Sequence, residues 1–192
     1  MQTPDFPRSV TVFTGSATGA SAIYAEATTE LARALAEQGV EIVYGGGHVG
    51  LMGTLADAAL EAGGRVRGVM PQSLVDGEIA HPGLSELDIV ADMHERKQRM
   101  AERAEAFIAL PGGAGTLEEF FEVWTWQQLG LHRKPVALYD VNGFWQPLLS
   151  MIEHFVAEGF LAERYRQALI VVQTPAELLA ALQQWAPAPA KW

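Results

Sequence analysis

The chain has 192 residues, 49% of them apolar, and a formal net charge of −10 from 23 acidic and 13 basic side chains. This composition is typical of a folded globular domain and excludes an intrinsically disordered chain. The sequence has no cysteine, which excludes disulfides and thiolate metal sites, and the scattered bases of an acidic chain argue against a nucleic-acid partner.

Apolar runs rich in β-branched residues alternate with longer amphipathic segments from residue 9 to residue 185. Strands joined by helices of ten or more residues predict an α/β fold with βαβ units and a doubly wound, mostly parallel sheet of about seven strands. The predicted strands are 9–15, 40–47, 65–71, 85–90, 106–113, 134–140 and 168–173, and the predicted helices are 22–39, 50–64, 93–104, 116–130, 144–159 and 175–185.

No interdomain linker or repeat interrupts this alternation, so we expect a single domain over 1–192, with a loose tail at about 186–192. The segment 71–86 is the longest irregular stretch. The first ten residues lack the pattern of a secretion signal, and no apolar run reaches the roughly 18 to 20 residues that span a bilayer. We therefore expect a cytoplasmic protein without a membrane partner.

Three predicted strands end in glycine-containing loops, at 14–21, 44–53 and 111–116. Glycine lets backbone N–H groups approach an anion closely, and the helix that follows each loop adds a favourable dipole. One such loop is as readily a tight turn, but three in one chain favour a phosphate-bearing ligand. The first two loops supply additional candidate phosphate or nucleotide contacts at Gly15, Ser16, Gly45, Gly46 and Gly47.

Gly45, Gly47 and Gly50 formally match the G-x-G-x-x-G dinucleotide motif. The acidic residue that this motif requires about 20 residues further on is missing from "VRGVMPQS", so NAD binding is only a minor alternative. A Walker A loop is absent.

In "PGGAGTLEE" at 111–119, the carboxylate of Glu119 can be interpreted in two ways. Thr116 and Glu119 have the spacing of a capping box, in which Glu119 would only complete the helix start. Alternatively, Glu119 faces the ligand as a general base, or as the partner of a developing positive charge. A sugar ring that loses its leaving group develops such a charge.

"MHERKQRM" at 93–100 follows a predicted strand. Arg96, Arg99 and Arg103 share one helix face, and Glu95 can pair with Arg99 at i,i+4. A solvated, salt-bridged face is the simpler reading for these charges. Arg96 and Lys97 nevertheless lie in the first turns, near the carboxyl end of the strand, where a phosphate clamp would sit.

Metal and cofactor chemistry find no support in the sequence. The five histidines show no ligand spacing, and none of the three lysines has the context of a Schiff base. We therefore expect neither a metal nor a cofactor.

The motifs "VFTGSATG", "YGGGHVGLMG", "MHERK" and "PGGAGTLEE", in this order, resemble those of the Lonely Guy family. These enzymes are cytokinin riboside 5′-monophosphate phosphoribohydrolases, many of them long labelled lysine decarboxylases. The resemblance runs from about residue 9 to about residue 180. It implies a Rossmann-like fold, a homodimer with sites near the subunit interface, and hydrolysis of the N-glycosidic bond of a nucleoside 5′-monophosphate.

Carried over position by position, the catalytic arginine and glutamate of the family fall on Arg96 and Glu119. One departure is visible in the first loop, where Thr14 and Ala17 replace a cysteine and a serine that are common in the family. The nucleotide-binding positions fall on Glu78, Arg96, Lys97, Gly113, Ala114, Gly115, Thr116, Leu117, Glu118, Glu119 and Thr125.

The implied reaction releases an adenine-type base and ribose 5-phosphate without a cofactor. The loop at 113–116 would hold the phosphate, Glu119 would stabilise the ribose cation and activate water, and Arg96 would bind phosphate or help the base to leave. Two alternatives stay open, namely a hydrolase of plain AMP and a non-catalytic nucleotide-binding or sensing protein on the same fold.

Overall fold

The structure, a computed structural model, describes residues 6–77 and 79–191. Seven parallel strands form one sheet in the order β4-β3-β2-β1-β5-β6-β7, which confirms the predicted α/β fold with a doubly wound parallel sheet. The strands are β1 Ser9–Phe13, β2 Glu41–Tyr44, β3 Val66–Pro71, β4 Glu86–Val90, β5 Ala106–Ala109, β6 Val136–Tyr139 and β7 Ile170–Val172. The helices are α1 Ala22–Glu37, α2 Gly50–Glu61, α3 Gln72–Asp76, α4 Met93–Arg103, α5 Ala114–Gln128, α6 Gln146–Ala157, α7 Glu163–Ala168 and α8 Pro175–Gln184.

Helices cover both faces of the sheet, and for this reason the central strands are apolar without alternation. On one face, α1, α2 and α8 bury Leu31, Leu55 and Leu178. On the other face, α4 and α5 bury Met100 and Phe120. Each helix therefore contributes an apolar stripe to one of two cores.

The chain reverses its direction of winding between β1 and β5, which are neighbours at the centre of the sheet. The loops that follow these two strands are joined, because Gly15 N–H and Thr14 Oγ1 both donate to the carbonyl of Pro111, at 3.2 and 3.3 Å. Ligands of doubly wound sheets bind in the crevice at such a switch point. We therefore expect the ligand site at this edge of the sheet.

Three short helical segments lie where the sequence predicts irregular structure or a longer neighbour. The five-residue α3 interrupts the 71–86 stretch, α7 shortens the predicted last strand, and a 3-10 turn at Val141–Gly143 precedes α6. Each is too short for hydrophobic periodicity to be seen in the sequence.

The segment 186–191, which we expect to be a loose tail, has no helix or strand but lies against the end of α5. The backbone N–H of Lys191 donates to the carbonyl of Gln128 at 2.9 Å, and Ala188 packs against the core of that face. Across the described residues, no helix combines the length and the apolar character needed to cross a membrane.

Candidate active site

A cavity of about 330 Å³ opens at the carboxyl ends of β1 and β5. It brings together residues from the first glycine loop, α4 and the start of α5, which are distant in sequence. The residues that line it are Thr14, Gly15, Ser16, Met52, Met93, Arg96, Gly113, Ala114, Gly115, Thr116, Glu118 and Glu119.

The glycines of the third loop permit close packing at the bottom of this cavity. A Cβ on Gly112 would lie 2.0 Å from Thr116 Oγ1 and 2.9 Å from the backbone nitrogen of Gly15. Gly50, at a φ of +58°, similarly approaches the backbone of Ser16, where a Cβ would lie 2.3 Å away. The three glycine loops therefore converge, because side chains are missing where they meet.

Helix α5 begins at the cavity without a side-chain cap. Gly113 is its N-cap, and no described side chain accepts a hydrogen bond at this position. The first N–H groups of the helix, at Ala114, Gly115 and Thr116, have no acceptor within the helix. Together with the helix dipole they form a site for an anion.

The capping-box reading of Thr116 and Glu119 is wrong, since α5 begins two residues before Thr116. Thr116 is instead buried in the first turn, with 4% of its surface exposed. Glu119 therefore does not cap this helix. A capping box does form at α8, between Thr174 and Glu177.

Arg96 is held in the cavity by its position on α4 and by the sheet. Asp92 caps the helix by accepting from the N–H groups of His94 and Glu95 at 2.8 and 2.9 Å. The Arg96 side chain then reaches back to β3, where its Nε donates to the carbonyl of Val69 at 3.1 Å. This contact fixes the guanidinium group at the edge of the cavity.

Gly45 makes room for that guanidinium group. A Cβ at this position would lie 2.0 Å from an Arg96 terminal nitrogen. The sequence predicts that Gly45, Gly46 and Gly47 bind the nucleotide directly, but the structure places them elsewhere. These residues do not line the cavity, and the backbone of 46–48 bonds instead to 79–81.

Arg96 and Glu119 lie side by side in the lining of the cavity, with Nη1 and Oε1 3.7 Å apart and only 12% and 13% of their side chains exposed. Burial raises the pKa of Glu119 to about 7, although the Arg96 charge acts in the opposite direction. A carboxylate of this kind is poised for proton transfer near neutral pH.

Lys97 points away from this pair. Its Nζ donates to the carboxylates of Glu118 and Glu122, the latter at 3.2 Å, and its side chain is 11% exposed. The Glu118 contact is the largest of the causes that raise the Lys97 pKa. Lys97, unlike Arg96, does not line the cavity.

The remaining predicted nucleotide contacts are separated from the cavity. Leu117 packs into the core, and Thr125 lies in an apolar groove between α5 and α6, together with Trp124 and Phe160. Glu78 lies outside the described residues. Within one chain, the structure therefore gathers Arg96, Glu119 and the 113–116 loop, but not Thr125.

The sequence analysis missed Met52 and Met93, which line the cavity, and the role of Gly45. Met93 Sδ lies 3.7 Å from Arg96 Nη1. Methionines at helix starts carry no signal that separates them from core residues. The clearance at Gly45 depends on a residue 51 positions further on.

A Schiff-base lysine is not found in the cavity. Lys97 bonds to two carboxylates, and Lys134 donates to the carbonyl of Ala101 at 2.7 Å and is half-buried, which lowers its pKa. None of the lining residues is a lysine. The site therefore does not fit decarboxylation of an amino acid through an imine.

Comparison with known proteins agrees with the motifs. The family model described as "Possible lysine decarboxylase" matches residues 52–182. The chain is 51% identical to the cytokinin riboside 5′-monophosphate phosphoribohydrolase of Rhodococcoides fascians, over 92% of this chain and 90% of that protein. The enzyme of the same name from Oryza sativa is 48% identical, over 94% of this chain and 74% of that protein.

Solved structures share the fold. The protein TM1055 superposes with a TM-score of 0.70 at 24% identity, covering 92% of this chain and 99% of that one. A molybdenum cofactor binding protein from Rippkaea orientalis gives 0.69 at 19% identity, covering 91% and 94%. These identities show the fold alone, whereas the curated relatives show the family. The chain belongs to the family of the cytokinin riboside 5′-monophosphate phosphoribohydrolases, which its motifs resemble.

Proposed function

We propose that this protein hydrolyses the N-glycosidic bond of adenosine 5′-monophosphates, with or without an N6-substituent, and releases the base and ribose 5-phosphate. The observation that carries the proposal is one cavity that holds an open helix N-terminus and a buried Arg96–Glu119 pair. The names of its relatives describe this reaction class for those proteins.

The phosphate of the substrate binds at the start of α5. The free N–H groups of Ala114, Gly115 and Thr116 point to the space where a phosphate oxygen would lie, and the helix dipole favours its charge. With the phosphate bound there, the ribose lies toward Glu119, which follows Thr116 by less than one turn. Phosphate binding therefore orients the sugar for the reaction.

Cleavage of the bond between C1′ and the base nitrogen leaves positive charge on the ribose ring. The Glu119 carboxylate stabilises this charge and takes a proton from the attacking water, whose oxygen bonds to C1′. The bonding electron pair leaves with the base, whose nitrogen takes up the proton that Glu119 removed from water, passed on directly or through solvent, so that Glu119 is again a carboxylate. Arg96 acts beside Glu119, on the phosphate or on the departing base. No redox step occurs, and we propose no metal or cofactor.

A homodimer is the assembly that we propose. A groove between α5 and α6, called here the α5–α6 groove, exposes apolar side chains. Phe160 is 86% exposed in the single chain, which is unusual for a phenylalanine. Thr125 lies in this groove, so pairing of two grooves would bring it toward the partner. The groove is lined by Phe121, Trp124, Thr125, Gln128, Phe155, Phe160 and Leu161.

We further propose that the enzyme acts in the cytoplasm on free nucleotides and not on nucleic acid, in line with the acidic charge of −10. Fractionation of cells that express the tagged chain tests the location. Measurement of the binding of labelled DNA and RNA at low salt tests whether the protein has a nucleic-acid partner.

The reaction is tested by chromatography of free base after incubation with AMP and, separately, N6-isopentenyl-AMP. Wild type is compared with Glu119→Gln and with Glu102→Gln, a surface carboxylate on α4. Base release by wild type and Glu102→Gln but not by Glu119→Gln supports the proposal, and the two rates define the substrate preference. Nucleotide binding without release would instead favour the sensing alternative.

A further inference from the structure

Lys97 is bound between two carboxylates of the neighbouring helix, although the family resemblance assigns it to the nucleotide. Its Nζ contacts Glu118 and Glu122, and its side chain is 11% exposed. We propose that Lys97 is a positioning residue that draws the Glu118 carboxylate away from Glu119 and balances the negative charge around it, instead of binding the substrate phosphate. This inference rests on the proposed function.

The need for such a residue follows from the spacing of acids on α5. Glu118 and Glu122 are four residues apart and share a helix face, where like charges destabilise each other. Glu119 lies between them in sequence, about 100° around the helix from Glu118 and about 60° from Glu122. Without a cation, three carboxylates would crowd one turn of α5.

Helix α4 supplies two adjacent cations with separate partners. Arg96 lies 3.7 Å from Glu119, and Lys97 bonds to Glu118 and Glu122. The two helices are therefore joined by parallel ion pairs. Lys97 pairs with Glu118 at the rim of the cavity and with Glu122 beyond it, so that Arg96 can remain directed at the reacting groups.

This arrangement affects the ionisation of Glu119. The charged groups that act on it are Arg96 and Lys97 from α4, which favour the carboxylate, and Glu118 and Glu122 from α5, which disfavour it. Loss of Lys97 leaves both α5 neighbours uncompensated. The pKa of Glu119 would then rise, and less of the base would be ionised at neutral pH.

The test measures kcat and KM for AMP from pH 5.5 to 9 in wild type, Lys97→Met and Lys97→Met/Glu122→Gln. The double variant restores the local net charge, since one cation and one anion are removed together. Arg99→Met serves as the control, because Arg99 pairs with Glu95 and Glu102 on the surface side of α4. The phosphate of AMP titrates in the same range in all four proteins, so only differences between them are compared.

We expect Lys97→Met to shift the acid limb of the pH profile of kcat/KM to higher pH by about one unit. This shift lowers kcat/KM about tenfold at pH 6. Its KM at pH 9 should stay within about threefold of wild type, because Glu119 is then ionised in both proteins. The double variant should move the limb back toward wild type, and Arg99→Met should leave it unchanged.

A tenfold increase in KM at pH 9 with an unshifted limb would identify Lys97 as a phosphate ligand and overturn the proposal. An unchanged limb and an unchanged KM would also overturn it. Circular dichroism verifies that each variant is folded, and the double variant provides a second test if Lys97→Met is unstable.

An inactive wild type would count against the proposed function but not decide the role of Lys97. In that case, a carbon-13 titration of the glutamate side chains gives the Glu119 pKa directly, assigned from the signal that Glu119→Gln lacks. A higher Glu119 pKa in Lys97→Met than in wild type supports the positioning role, and equal values exclude it.

Discussion

Arg96 Nη1 lies 3.7 Å from Glu119 Oε1, close enough for an ion pair but too far for a hydrogen bond. Neither side chain depends on the other for its position, because Arg96 is held by the carbonyl of Val69 and Glu119 by its helix. The two charges are therefore fixed side by side in the wall of the cavity, where both can contact a bound substrate. A tight, bidentate pair would have used these hydrogen-bonding groups on each other.

Replacement of Arg96 should separate catalysis from stability. Arg96→Ala should lower kcat/KM at least about 100-fold, since a charge that acts at the reacting groups is lost. It should cost only about 1–2 kcal/mol of unfolding free energy, because the carbonyl of Val69 loses its partner. Arg99→Ala is the control for both measurements. An unfolded Arg96→Ala protein would show that the residue is mainly structural.

Gly45→Ala should reduce activity without unfolding the protein. The new methyl group would collide with the Arg96 guanidinium group, which is the flexible end of a side chain and can shift. Gly45 does not have a positive φ, so alanine fits its backbone. A displacement of about 1 Å can cost up to about 100-fold in rate.

The control for this variant is Gly77→Ala, where the nearest atom to a new Cβ lies 3.5 Å away. Steady-state rates and thermal unfolding of both variants are the measurements. Wild-type turnover in Gly45→Ala would show that Arg96 needs no fixed position.

Glu119 should make the stability of the protein depend on pH. Burial raises its pKa to about 7 in the folded state from an ordinary value of 4.5, so between these values the folded chain holds a proton that the unfolded chain releases. The unfolding free energy of wild type therefore falls as pH rises from 4.5 to 7. Glu119→Gln lacks this dependence.

The stability of Glu119→Gln relative to wild type should thus increase with pH, by up to about 3 kcal/mol between pH 4.5 and 8. Urea unfolding at several pH values measures the difference, with Glu102→Gln as the control. A difference that does not vary with pH would mean that the Glu119 pKa is not raised.

The α5–α6 groove should mediate dimer formation. Light scattering of wild type should give about twice the 20.8 kDa mass of one chain, because exposed apolar surface is buried on pairing. Phe160→Asp should give a monomer. Leu131→Asp is the control, since Leu131 is 70% exposed but lies outside the groove. Monomers from Leu131→Asp alone would place the interface elsewhere.

The sequence predicts the fold well because its signals are local. Most of the strands are short, mainly apolar runs, with β4 and its two acidic residues as the exception, and the winding follows from strands separated by helices. Glu95 and Arg99 pair at 3.4 Å, as their i,i+4 spacing predicts. Helix starts are less certain, because the S/T-x-x-E pattern at Thr116 fits a cap and a first turn equally well.

The site is only partly predictable, since its details depend on tertiary contacts. The residue types at Arg96 and Glu119 mark a charged pair, but their common cavity requires that α4 and α5 lie side by side. The arginines at 96, 99 and 103 share a face in the sequence, and yet their partners differ. Arg96 reaches the backbone of β3, Arg103 pairs with Asp88 of β4, and Arg99 pairs with glutamates of its own helix. The space that Gly45 leaves for Arg96, and the carboxylates that bind Lys97, are supplied by elements other than α4.

The bonds from Thr14 and Gly15 to Pro111 join residues almost a hundred positions apart. Closure of so long a loop is costly in entropy and is repaid only when both halves of the sheet are in place. On refolding, helix content should return early, and enzymatic activity should return only with the slowest phase. A nascent chain shorter than about 119 residues lacks Glu119, the carboxylate that we propose as catalytic, so turnover should report only on longer, folded chains.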